Sequence, residues 1–113
     1  MKFEQRYICD IKTFDEYWEV IMKSQPDMSD VDGATFRGLT VYENHEIHIC
    51  NNLDEWNLKS TVYHEVAHAF IHSLANHQSE FTNEEVCDLI GRYGSHIHEQ
   101  AQKVLNEIEK MKL

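Results

Sequence analysis

Leu58-Lys59-Ser60-Thr61-Val62-Tyr63-His64-Glu65-Val66-Ala67-His68-Ala69-Phe70 is the stretch on which the reading of this chain turns. Leu58, Val62, Val66 and Ala69 recur at helical spacing, so a helix is predicted from Asp54 to about Ala75 with those residues facing a core. On such a helix His64 and His68, one turn apart, share a face, and Glu65 stands beside His64. Two imidazoles in that relation can grip one metal ion, with a carboxylate next to any water held there.

Outward from this helix the pattern is that of one α+β domain spanning 1–113, with no repeats, low-complexity tracts or linkers. Phe3 to Ile11 alternates loosely and predicts a first strand. Thr13-Phe14-Asp15-Glu16 has the form of a capping box, which predicts a helix to about Ser24 with Trp18, Ile21 and Met22 facing inward. Gln25 to Gly33 holds the only proline, Pro26, and is predicted to be a loop. Ala34 to Tyr42 and Glu46 to Cys50 are predicted strands joined by a turn at Glu43-Asn44-His45. Ile47 and Ile49 alternate with Glu46 and His48, which implies one buried face. Asn76 to Phe81 is a predicted loop. Thr82-Asn83-Glu84-Glu85 is a second capping box, opening a helix whose apolar stripe runs through Val86, Leu89, Ile90, Tyr93, Ile97, Val104, Leu105 and Ile108. Gly91 and Gly94 weaken it, so it is either one bent helix or two joined near Gly94 and Ser95.

Composition narrows the function classes. The hydrophobic fraction of 42% supports a core, and no apolar run reaches the length of a membrane span. No secretory leader opens the chain, so a cytoplasmic address is expected. A formal net charge of −10 without a basic stripe argues against nucleic acid as a partner. Cys9, Cys50 and Cys87 form no CxxC pair and are expected to be reduced, mostly buried thiols, with Cys87 a small core residue.

Two histidines do not complete a catalytic zinc site, which takes three protein ligands and keeps one position open. Asn83-Glu84-Glu85-Val86-Cys87-Asp88 supplies a candidate. Glu84 is the preferred third ligand, since Glu85 already serves the capping box, and Asp88, one turn on, can accept the N–H of a ligating imidazole. Glu85 and, from the loop, His77 stay open as alternatives. A metzincin would place its third His at position 74, where Leu74 stands. His72 lies a further turn, about 5–6 Å, along the axis and is expected at the surface or behind the ligands. His45, His48, His96 and His98 read as ordinary hairpin or helix side chains, with His48 able to face the cleft.

These residues resemble the gluzincin branch of the zincin-like metallopeptidases, in which the HExxH helix is followed by a helix carrying Asn-Glu-x-x-x-Asp. The likeness spans roughly Leu39 to Tyr93, and the chain's size and the context of the motif resemble the short phage and prophage members of the ImmA/IrrE-like group. The resemblance implies a zincin-like domain: a small mixed sheet with an edge hairpin packed on the HExxH helix, then a ligand-bearing helix. It implies Zn2+ held by His64, His68 and Glu84, Glu65 as general base, and a protein or peptide substrate cleaved by a phage regulatory protease. Ile47 to Cys50 would be the edge strand that pairs with an extended peptide. Tyr63, Tyr93, His96 and His98 are candidate donors to the oxyanion. The alternative is a non-catalytic zinc-binding or protein-interaction module of phage origin that keeps this fold.

Overall fold

The computed structural model describes residues 5–24, 36–75 and 80–112. Strand β1 (Arg6–Lys12) turns back into strand β2 (Tyr17–Lys23); strand β3 (Gly38–Val41) and strand β4 (Glu46–Cys50) follow, then helix α1 (Glu55–Ala75) and helix α2 (Asn83–Lys110). The four strands form one mixed sheet in the order β1-β2-β4-β3. β1 and β2 are antiparallel, β2 and β4 parallel, β3 and β4 antiparallel. The chain is thus a small α+β domain.

The helix predicted from Thr13 is instead β2. The Thr13 N–H bonds to the Glu16 carbonyl at 3.0 Å, closing a turn between strands rather than opening a helix. The residues that follow favour the extended state, with Tyr17 and Trp18 aromatic and Val20 and Ile21 β-branched. Trp18 and Val20 point into the core while Tyr17 and Glu19 face solvent, a period of two. Pairing slips between Tyr7 and Cys9, so Ile8 is an extra residue in β1, and the bulge buries both Ile8 and Cys9.

The predicted edge strand also moves. β4 lies between β2 and β3 and is buried along nearly its whole length, whereas β3 forms the edge. Burial of both faces explains the inside position: Ile47 and Ile49 join the cluster under the helices, while His48, on the opposite face, is buried beside Glu46 at 3.0 Å. His48 therefore points away from α1, and the expectation that it could face the cleft is not met. The turn between β3 and β4 is a short 3-10 segment, Tyr42–Asn44, closed by His45 in the left-handed region at φ 51°.

Both helices cover one side of the sheet through a single cluster. Ile11, Trp18, Val20, Ile47 and Ile49 meet Leu58, Val62, Val66, Ala69 and Phe70 of α1 and Ala101, Val104 and Ile108 of α2. The predicted core face of α1 is all there. α2 is one continuous helix, opened by the predicted capping box: Thr82 Oγ1 accepts from the Glu85 N–H, and Glu85 accepts from the Thr82 N–H. Only its second half buries residues; Val86 and Ile90 of the predicted stripe are exposed, as is Cys87, contrary to its expected place in a core. Phe14 bridges the middle, edge-on to Phe70 at 5.6 Å and to Tyr93 at 5.0 Å. No helix is long and apolar enough to cross a membrane among the described residues.

The two tryptophans separate core from surface. Trp18 is fully buried and Trp56 is 76% exposed. Trp18→Ala is expected to cost about 3–5 kcal/mol in a denaturant melt, and Trp56→Ala no more than about 0.5 kcal/mol. Asp54 begins α1 by accepting the Asn57 backbone N–H at 2.8 Å and its side-chain N–H at 2.9 Å. Those bonds, and more weakly Arg37, hold its carboxyl below the usual range. A lowered folded pKa stabilises above the unfolded value and is lost as pH falls through the folded one. The gap in melting temperature between wild type and Asp54→Ala should be full above about pH 4 and shrink in more acid solution.

Candidate metal centre

His64 and His68 converge. Their Nε2 atoms are 3.1 Å apart, and their rings meet edge to face at 4.7 Å. Two ligands at about 2.0–2.1 Å in a tetrahedral shell stand about 3.3 Å from each other, so this pair fits zinc with little adjustment. His64 is exposed and His68 half-buried, so the pair opens to solvent on one side.

Glu65 is held more tightly than a helix-surface carboxylate would be. It is 6% exposed, and its Oε1 accepts from the Thr40 hydroxyl at 2.8 Å. Oε2 is left facing His64 Nε2 at 4.0 Å. The bond from Thr40 exists because β3 passes unusually close to α1. A Cβ placed on Gly38 would stand 2.6 Å from Thr61 Cγ2 and 2.8 Å from Glu65 Cγ. Glycine in that strand permits the approach.

Behind His68 stands Tyr42, its hydroxyl in a long contact of 3.4 Å with Nδ1. Burial first, and then the Glu65 carboxylate, raise the phenol above its ordinary pKa, so it stays protonated. With Nδ1 occupied, Nε2 of His68 is the nitrogen turned to His64. Tyr42 in turn stacks on His72 at 4.6 Å, and Trp18 stacks on His45 at 4.3 Å. His72 is half-buried against Tyr42 and Trp18. His45 lies 3.5 Å from Glu16, whose other oxygen accepts from Ser73.

The acidic residues expected from α2 stand apart from this pair. Glu84 is exposed on the first turn of α2, and Asp88 lines a cavity of about 340 Å³ between the end of α1 and α2, with Leu74, Phe81 and Arg92. Among the described residues no group of three or more His, Cys, Asp and Glu side chains is assembled closely enough to hold a metal ion. Glu85 serves the cap as expected, and His77 lies outside the described residues. Of the expected oxyanion donors, Tyr63 is engaged by His98 Nδ1 at 2.5 Å and by Gln102 at 2.9 Å. Tyr93 packs on Phe14, and His96 and His98 are exposed on α2. The phenol next to the histidine pair is that of Tyr42, which sequence reasoning passed over. Gly38 and Thr40 were passed over too; a glycine inside a predicted strand was the available signal.

No family model matches the chain, and neither the curated proteins nor the solved structures searched contain a match to it.

Gly38→Ala should push β3 off α1 and break the Thr40–Glu65 bond. We expect it to lower stability by about 1–3 kcal/mol. Thr40→Val should lower it by about 1–3 kcal/mol through the unpaired carboxylate oxygen, and Thr40→Ser should recover most of that loss. Chemical denaturation of the three variants measures this; a Thr40→Val protein as stable as wild type would show that the bond contributes nothing.

Proposed function

We propose that the chain is a zinc-dependent peptidase of zincin-like fold, working on a protein or peptide and residing in the cytoplasm. One observation carries this reading: His64 and His68 bring their Nε2 atoms within 3.1 Å of each other, close to the separation of two ligands on a tetrahedral ion, with Glu65 Oε2 4.0 Å from His64 Nε2. His64 and His68 are two of the proposed ligands; Glu84, which stands apart from them on the first turn of α2, is the proposed third and would have to come to the ion when it binds. Zinc at that point would supply Lewis acidity and make water a competent nucleophile near neutral pH.

The remaining steps belong to the chain. Thr40 occupies Oε1 of Glu65, so Oε2 is the oxygen free to take a proton from the attacking water. The same oxygen returns that proton to the leaving amine. Tyr42 holds His68 from behind and keeps its Nε2 forward. Among the described strands the outer edge of β3 is unpaired and offers main-chain donors and acceptors beside Glu65, to which an extended substrate can add as a further strand. A phage regulatory protease with a narrow substrate range is the biological setting we favour, by resemblance.

Zinc should bind at about one ion per chain and be lost in His64→Ala and His68→Ala. Glu65→Gln should keep the metal and lower peptide hydrolysis by on the order of 10²–10⁴. Glu84→Ala should weaken zinc binding and Glu85→Ala should not. Metal titration and turnover of the same variants decide the matter: unchanged turnover in Glu65→Gln removes the proposed base. Zinc retained in a folded chain without hydrolysis of any substrate would leave a binding module.

A further inference from the structure

We propose that the face of α1 running from Glu65 back to Trp56 is a substrate subsite that selects an aromatic side chain flanked by carboxylates. This rests on the peptidase reading and adds a substrate class to it. Two cavities meet at Ser60. One, of about 390 Å³, lies beside the histidine pair between Phe36, Arg37 and Gly38 on one wall and Ser60, His64 and Glu65 on the other. The second, of about 270 Å³, continues along the helix between Trp56, Lys59, Ser60 and Tyr63.

Trp56, Ser60 and His64 follow each other at intervals of four residues, so they line one face of α1. Eight residues of helix rise about 12 Å. An extended peptide advances about 3.3 Å per residue, so three or four residues span that distance. Among the described residues Trp56 is the most exposed large apolar side chain, and Phe36 is also exposed nearer the pair. Their flat faces suit an aromatic partner.

Charge gives the rest of the specificity. The chain carries 10 Lys and Arg against 20 Asp and Glu, yet the walls of these two cavities hold both Arg37 and Lys59. Among the described residues neither has a carboxylate within 4.0 Å. Among the described residues, Glu65 is buried on Thr40, Asp54 caps the helix through Asn57 and acts on Arg37 only weakly, and Glu55 lines a separate cavity together with Lys59. The first turn of α1 adds the positive end of a helix dipole. The overall −10 charge repels an acidic peptide at long range, but that field is screened beyond roughly 8 Å at physiological salt, leaving Arg37 and Lys59 to act at contact.

Three extended decapeptides test this: one with Phe between two Glu, one with Phe between two Lys, and one with Ala between two Glu. Binding is read by calorimetry on Glu65→Gln, and cleavage on the wild type. The Glu-Phe-Glu peptide should bind roughly tenfold more tightly than either other, and less tightly as salt rises. Arg37→Glu with Lys59→Glu should turn the preference toward the Lys peptide. Trp56→Ala should erase the advantage of Phe over Ala. Equal binding of the Glu and Lys peptides, a preference that survives the double reversal, or no binding of any of the three overturns the subsite. Selective binding without cleavage keeps the subsite and removes the peptidase reading. Cleavage indifferent to these residues does the reverse.

Discussion

The close passage of β3 over α1 at Gly38 is the constraint on which the candidate site depends. The backbone comes so near that even a methyl group would collide with Thr61 and Glu65. That proximity lets Thr40 reach the Glu65 carboxylate and lets Tyr42 reach His68. A carboxylate as buried as Glu65 would cost several kcal/mol if left unpartnered. The Thr40 hydroxyl offsets part of that cost and fixes which oxygen faces the histidines. Among the described strands β3 has no partner on its outer side, so one contact between two elements orients Glu65, the proposed base, and borders the candidate site.

What holds β3 there is the core beneath it. β3 pairs with β4, and β4 lies in the middle of the sheet because β2 takes its other edge in parallel. Trp18, the second residue of β2, packs on the helices and supports the turn through its stack on His45, the one described residue other than glycine with a positive φ. Histidine tolerates that conformation better than β-branched residues do. From Trp18 a run of aromatic contacts leads through His72 and Tyr42 to His68. Core packing and the pose of the histidine pair are therefore joined by touching side chains. Among the described residues none in the first half of α2 is buried; Tyr93 packs on Phe14 there, and Glu84 and Asp88 are exposed.

The elements legible in the sequence were those whose local and tertiary signals agree. α1 buries the residues its spacing selects, and the Thr82 cap forms as its pattern requires. The Thr13 pattern misled because a threonine followed three residues later by glutamate can also close a turn. There the Glu16 side chain leaves for His45 and Ser73, and the β-branched and aromatic run behind it goes to the sheet. The strand order was not legible, since a parallel pairing of β2 with β4 is a long-range choice that no local window encodes. Within the site, the histidine pair follows from helical spacing alone. Gly38, Thr40 and Tyr42 act across some two dozen residues of chain, and Glu84 and Asp88 were placed by resemblance rather than by packing.

The central claim is that His64 and His68 share one zinc ion. X-ray absorption at the zinc edge on the purified, metal-loaded protein tests it directly. The account predicts a four-coordinate shell with two imidazole nitrogens at about 2.0–2.1 Å and the remaining positions filled by oxygen. A shell containing sulfur, or one that keeps both imidazoles after His64→Ala with His68→Ala, would contradict it.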